Sequence, residues 1–488
     1  MWSQGACIVV QRFKAHLPDA ELEEQMLMLY RQKLSLISRK ARQDETCRFN
    51  NLMHLVNEWS LKSCFYMLKK NKAPGIDHVT LEDYEKNLAG NVENLLSRMK
   101  TMSYRPQAVR RTYIPKDNGK TRPLGIPTIE DKMVQMAFAQ ILEAIWEQDF
   151  TEFSYGFRPG RSCHQALNKL DTMLMFNPVN YVIDADIKGF FDNVDHEWMK
   201  KCLEVRISDR KFIRYVVRFL RSGIVEEGKY LDTEKGTPQG GIISPVLANI
   251  YLHYVLDSWF IKSVEGHVNG YVGLIRYADD FVICVQSKVD ADRILTAIER
   301  RFEKFGLELS KEKTRIVPFG RYVFSMHRKW NFNKRQSGSG NCNKPVPKPG
   351  TFNFLGFTHY CTTSRKGNFK VARKTEKKRF VRGLKKIGNW MKYNRNRKRL
   401  KEIWESISQM LTGHYRYYGV SDNFRQMNNF LDEVKRLVFK WLNRRSQKSS
   451  LTWEGFVKYQ KSHPLPRPRI YHNLYRSAFC RERRWGAG

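Results

Sequence analysis

YVGLIRYADDFVICV (residues 271–285) is the stretch from which the fold of this 488-residue chain follows. Two short apolar runs, 272–275 and 281–285, flank a polar centre, Tyr277-Ala278-Asp279-Asp280. β-Branched and aromatic side chains fill both arms, which predicts a buried β-hairpin rather than a helix. Adjacent carboxylates at such a turn are costly to keep ionised unless a cation lies against them. A divalent cation between carboxylates is what nucleotidyl or phosphoryl transfer needs, since it neutralises charge on the attacking and leaving oxygens. Taken alone, the four residues fit equally a β-turn whose Asp side chains bond their own backbone.

Outward from the hairpin, composition narrows the partners. Lys+Arg number 86 against 49 Asp+Glu, a net charge of +37. A hydrophobic fraction of 41%, with 29 Phe, 22 Tyr and 11 Trp, supports two or three cored domains and excludes a disordered basic tail. A long polyanion is the natural partner of such a charge. No apolar run approaches the roughly 20 residues of a spanning helix, so no membrane is expected, and the N-terminus has no signal-peptide pattern. Nine Cys occur singly without C-x-x-C, which fits reduced thiols better than zinc or a disulfide framework. A cytoplasmic location is the expectation.

Upstream, residues 19–38 have helical apolar spacing, and further helices are expected over 50–70 and 80–100, the latter opened by Thr80. Residues 109–126 read as a basic hairpin with arms 109–114 and 121–126 and a turn at 116–120. Arg110, Arg111, Lys116, Lys120 and Arg122 make it either a solvated loop or a finger closing over a triphosphate. Thr128, with Asp131 three residues on, caps the next helix. In NYVIDADIKGFFDNVDHEW (180–198), Tyr181 to Ile187 alternates as a strand, so Asp184 and Asp186 share a face. They meet the Asp279–Asp280 turn if both segments pair in one sheet. Asp195 reads as an N-cap, and Asp192 as turn structure.

KGTPQGGIISPVLANIYLHYVLD (235–257) opens with Gly and Pro that let backbone approach a ligand. It continues as a helix with Ser244 at the cap and Pro245 at the first helical position. Residues 290–305 form an amphipathic helix ended by Gly306. Residues 331–350 read as a mobile Gly/Ser/Pro-rich insertion, and 351–360 as one strand. From Cys361 onward there are 33 Lys+Arg and 8 Asp+Glu, so +25 of the +37 lies in the last quarter of the chain. Aromatics are interleaved there, as in HYRYYGV (414–420), which suits a nucleic-acid channel. The spacing of Val434, Leu437, Val438, Trp441 and Leu442 predicts a packed helix within it.

Together these segments resemble the reverse transcriptases encoded by mobile group II introns, also called maturases. The resemblance runs from about Phe49 to Phe456. It rests on KAPGIDHVT, KTRPLGIPTIEDKMVQ, FSYGFRPGRSCHQAL, DADIKGFFDNVDH, KGTPQGGIISPVLANIYLHYVLD, RYADDFVIC, LELSKEKT, FNFLGF and RRSQKSSLTWEGF, in that order. It implies an α+β fold: a right-hand polymerase with fingers and an antiparallel palm sheet over 49–365, then an α-helical thumb, the maturase domain, over 366–450. Residues 1–48 would be a partly helical extension and 451–488 a basic C-terminal segment.

The same resemblance implies catalysis by Asp186, Asp279 and Asp280 with two Mg²⁺ ions, Ile187 contributing only its backbone carbonyl to a metal. Phe191 matches a steric gate against the 2′-hydroxyl. Lys116 and Arg122 would hold the triphosphate, Gln239 would lie next to the incoming nucleotide, and Phe354-Leu355-Gly356 would form the primer grip. The implied activity is RNA-directed DNA synthesis, with binding and splicing support of a structured group II intron RNA. The implied partners are that RNA or another template, a DNA primer or target, and dNTPs, in a bacterial, nucleoid- or RNA-associated setting. No C-x-x-C follows residue 450, which implies the form lacking an HNH endonuclease domain. The alternatives are a domesticated relative in repair or defence, or an RNA-binding splicing cofactor with a vestigial polymerase. The intact carboxylates speak against the last.

Overall fold

The computed structural model describes residues 20–115, 121–226, 228–231, 235–237, 240–336, 347–445 and 451–475. The basic hairpin forms as β1 (Val109–Pro115) and β2 (Thr121–Ile126), antiparallel, with Ile114 opposite Arg122. Its turn lies outside the described residues. Thr128 caps the helix Ile129–Trp146 by accepting from the Asp131 amide at 3.2 Å. That helix is buried along most of its length and forms the main core with the helices around it.

β3 (Tyr181–Asp186) follows, while β4 (Ile224–Glu226) and β5 (Lys229–Leu231) extend the basic hairpin into a sheet ordered β2-β1-β4-β5. β6 (Val272–Tyr277), β7 (Asp280–Val285) and β8 (Arg315–Pro318) join β3 in a second sheet, β6-β7-β3-β8, antiparallel throughout. β7 is a continuous apolar run because both of its faces are covered. Phe281, Ile283 and Val285 enter the main core; Val282 and Cys284 enter a second core on the opposite face. The same alternation divides β3, with Ile183 and Ala185 on one side and Val182 on the other.

A third sheet, β11-β10-β9, covers the second core with β9 (Thr351–Phe354), β10 (Phe357–Thr363) and β11 (Phe369–Thr375). β11 thus runs past the expected boundary at 365/366. Beyond it, helices Lys377–Asn394, Leu400–Tyr418, Phe424–Leu442 and Trp453–Ser462 pack around their own core. Val434, Val438 and Leu442 are buried there, while Leu437 and Trp441 flank the stripe. Among the described residues no helix is long and apolar enough to cross a membrane.

Several boundaries differ from the sequence reading, each for a local reason. The helix expected over 50–70 is Glu58–Met67, because Asn57 and Ser60 form a capping box that starts it late. The segment 80–100 breaks into Leu81–Glu85 and Leu88–Lys100. The cap before Pro245 is Ile243, with Ser244 already helical, and that helix passes into a π segment at His253–Asp257. Residues 351–360 are two strands, not one. Leu355 and Gly356 both have positive φ, +50° and +77°, as a tight hairpin turn requires. The insertion expected at 331–350 begins as the end of the helix Arg321–Gln336, and residues 337–346 lie outside the described residues.

Candidate active site

The register of β3 on β7 places Asp186 opposite Asp280, at the end of the sheet where the β6–β7 hairpin turns. Period-two alternation puts Asp184 on the same face. The turn itself is only Ala278-Asp279, with Tyr277 paired to Asp280. Ala278 has φ +57°, a left-handed conformation that costs a residue with a Cβ about 1–2 kcal/mol. Such strain persists only where the surroundings over-determine it.

The surroundings here are a buried polar network. Arg276 and Asp257 are both fully buried and paired, with Nε donating to Oδ1 at 2.7 Å and Nη2 to Oδ2 at 2.5 Å. The other guanidinium donors reach Asn249 Oδ1 at 3.0 Å, Ser154 Oγ at 2.7 Å and the Ala278 carbonyl at 3.1 Å. Backbone bonds join Arg276 to Phe153 and Tyr155, each at 2.9 Å. The segment FSYGF thereby lies along β6, and Asn249 fastens it by donating to the Gly156 carbonyl at 2.7 Å. A Cβ on Gly156 would fall 2.3 Å from the Ala278 amide nitrogen, so only glycine fits beneath the turn. Gly156→Ala is expected to destabilise the protein by about 3 kcal/mol in urea unfolding, because rigid backbone cannot yield to the methyl group.

Electrostatics set the character of the carboxylates. Asp186 Oδ2 accepts from Lys313 Nζ at 2.6 Å. Asp184 pairs with Arg315 at 3.2 Å and accepts from the Asn353 backbone amide; burial nevertheless raises its affinity for a proton. Asp280 is pushed up to about 8, first by burial and then by the charges of Asp184, Asp279 and Asp186, with Lys313 opposing. Among the described residues no three His, Cys, Asp or Glu side chains are drawn in around one point as a metal group. The donor set still suits a hard divalent cation. Carboxylate oxygens from two paired strands and one turn repel one another, and the lysine cation already held by Asp186 marks where positive charge is stabilised.

Ile187 is buried by its side chain, so only its backbone is available. Opposite Leu309 the inter-strand bonds belong to Asp186 and Lys188, which leaves the Ile187 carbonyl on the β7 side of the strand. Phe191 is half-buried in the short helix Phe190–Asn193, against Phe190 at 5.3 Å. Its carbonyl accepts from the Thr237 amide at 2.7 Å, and a Cβ on Gly236 (φ +87°) would meet it at 2.8 Å. This glycine therefore lets the loop approach protein backbone. Lys116, Gln239 and the Arg122 side chain lie outside the described residues.

Phe354, Leu355 and Gly356 form the β9–β10 turn. Phe354 is buried, β9 lies beside β7, and Tyr417 Oη donates to the Leu355 carbonyl at 3.0 Å. The turn is thus held between the sheet that carries the carboxylates and the helix Leu400–Tyr418. Sequence reasoning missed Arg276, Asp257, Asn249 and Gly156 as supports of the β6–β7 turn. The available signal was the pair of charges inside otherwise apolar runs, RYADD and YVLD.

A chain of mixed α and β structure, with an antiparallel sheet that carries a cluster of aspartates at a tight hairpin, has the make-up of a nucleotide-polymerising domain. Residues 114–359 match the family model "Reverse transcriptase (RNA-dependent DNA polymerase)", and the chain belongs to that family. Its relatives include the group II intron-encoded protein LtrA of Lactococcus lactis, 31% identical over 405 residues, or 70% of this chain and 65% of LtrA. Protein YkfC of Escherichia coli is 34% identical over 321 residues, 58% of this chain and 84% of YkfC. A putative COX1/OXI3 intron 1 protein of Saccharomyces cerevisiae is 26% identical over 470 residues, 79% of this chain and 56% of that protein. The match thus spans just under two thirds of LtrA, and the resemblance drawn from the nine sequence blocks is borne out.

Proposed function

We propose that this chain is an RNA-directed DNA polymerase that binds a structured RNA of the group II intron class, supports its splicing and copies RNA into DNA. The observation that carries the reading is the register of β3 on β7, which joins Asp186, Asp279 and Asp280 at one end of a buried antiparallel sheet. In this reading the sheet β6-β7-β3-β8 is the palm and the basic hairpin sheet the fingers. The helices from Lys377 onward form the thumb, with the boundary after Thr375 because β11 completes the third sheet.

Asp186, Asp279, Asp280 and the Ile187 carbonyl would hold two Mg²⁺ ions. When bound, the metal would supply charge neutralisation at the attacking 3′-oxygen and the triphosphate. Lys313, paired with Asp186 at 2.6 Å, would hold that carboxylate until a cation is bound. By the family resemblance Lys116 and Arg122 would serve the triphosphate and Gln239 the incoming nucleotide, and the Phe354-Leu355-Gly356 turn would position the primer. Phe191 walls off the sugar's 2′ position. Phe191→Ala is expected to raise rNTP over dNTP incorporation about tenfold in single-nucleotide assays, with dNTP use largely kept. The loop docks on the Phe191 backbone, so truncating the ring leaves that contact in place.

The test of the whole reading is extension of a DNA primer on an RNA template by the full chain with dNTPs. Full-length cDNA is the expected product. Tight binding of structured RNA without extension would favour the splicing cofactor instead.

A further inference from the structure

The helix Arg210–Leu220 buries one face and turns arginine outward on the other. Phe212, Ile213, Tyr215, Val216, Phe219 and Leu220 are buried, whereas Arg210 and Arg214 are exposed and Arg218 is half-buried. These arginines recur every fourth residue, so they form one stripe with about 6 Å between neighbours along the axis. Arg221 follows at the helix end.

The stripe lines an open concavity of about 960 Å³. Arg105, just before β1, and Lys200, from the helix His196–Glu204, enter it from other elements. Against these six cations stand two carboxylates, Glu197 and Glu204. Glu197 is paired with Arg221 at 3.3 Å, and Glu204 with Lys200 at 3.9 Å. Arg105, Arg210 and Arg214 have no ion pair among the described residues. Arg218 is fixed by donating from Nη1 to the Met102 and Tyr104 carbonyls at 3.0 and 2.8 Å. Burial, and next the charge of Arg105, weakens its hold on its proton.

Convergence from three elements, like-charge repulsion and a concave shape distinguish this place from a solvated basic face. An anion would relieve the repulsion, and guanidinium forks match phosphate oxygens in pairs. We propose that this concavity is a second nucleic-acid site, built apart from the carboxylates, which takes the sugar-phosphate backbone of a structured RNA. It rests on the reading above that RNA is the chain's partner. Its role is to hold the RNA while the carboxylate site works on the primer end.

The test compares two triple variants of the full chain. Arg210→Ala/Arg214→Ala/Arg221→Ala removes three charges from the concavity. Arg293→Ala/Arg300→Ala/Lys304→Ala removes three from the outer face of the helix Lys288–Lys304. Filter binding to a structured RNA of several hundred nucleotides is measured across a salt series. The concavity triple is expected to lower the log–log salt slope by about 2 and to weaken binding at least about tenfold at moderate salt. The control triple is expected to leave both nearly unchanged. Extension of a short DNA primer on a short RNA template should stay within about twofold of wild type for both. Equal losses of slope in the two triples would reduce the effect to bulk charge and overturn the site. An unchanged slope in the concavity triple would overturn it too, leaving an acidic protein segment or solvent as occupant. Extension lost in step with RNA binding would assign the helix to the active site and overturn the proposal. Absence of extension in the wild-type chain would defeat the polymerase reading alone, since the salt comparison needs no catalysis.

Discussion

Primer extension by Asp186→Asn, Asp279→Asn or Asp280→Asn is expected to fall by about a thousandfold or more, a loss of about 4 kcal/mol of transition-state stabilisation. Each substitution keeps the shape of the side chain and removes one negative charge from the cluster. The same change should not unfold the protein. Burial and three neighbouring carboxylates raise Asp280 from 3.8 to about 8. A carboxyl whose folded-state value is raised contributes stability when protonated. Without a bound cation that contribution is lost as pH climbs from the ordinary carboxylate range towards about 8. Asp280→Asn is therefore expected to be at least as stable as wild type at neutral pH by urea unfolding while losing its activity. Asp184→Asn should cost less than about tenfold in rate, because Asp184 is committed to Arg315 and the Asn353 amide. An Asp184 effect as large as that of Asp186 would move the site one step along β3.

Asp257→Ala is expected to destabilise the chain by about 3–5 kcal/mol, because it leaves the fully buried Arg276 guanidinium without its counter-charge. Arg276 also holds the Ala278 carbonyl and the Ser154 hydroxyl, so the strained turn should loosen and extension should fall with stability. Replacing both partners with apolar residues, Asp257→Leu with Arg276→Met, should recover much of the stability, since no buried charge remains. It should not recover the activity, because nothing then clamps the turn. Urea unfolding of the single and double variants, read beside their extension rates, separates the two roles. Full activity in the stable double variant would show that the clamp is dispensable.

The paired aspartates were legible because a strand's period of two is visible in YVIDAD, and a hairpin's symmetry in the arms around Asp279 and Asp280. Neither needs knowledge of distant residues. The clamp beneath the turn was not legible. Its members come from Ser154, Asn249, Asp257 and Arg276, on segments that only tertiary packing brings together. Residues 351–360 misled for a different reason. Their β-rich composition reads straight through Leu355, a residue that rarely takes a positive φ, and the one local cue to a turn was Gly356. In the KGTPQGG loop the composition was read as close backbone approach, and Gly236 does come close to the Phe191 backbone. The Ser244 cap missed by one residue because Ile243, which offers no side-chain acceptor, precedes the helix.

We propose that the three aspartates form a divalent-cation site for DNA synthesis on RNA. The decisive experiment is a Mg²⁺ titration of single-nucleotide incorporation on an RNA template, with wild type and Asp280→Asn side by side. Wild type should incorporate dNTP with a saturable dependence on Mg²⁺, stop when a chelator is added and resume when Mg²⁺ is restored. Asp280→Asn should stay near background across the range. Incorporation that persists in chelator, or an Asp280→Asn titration that overlays wild type, would rule out this site.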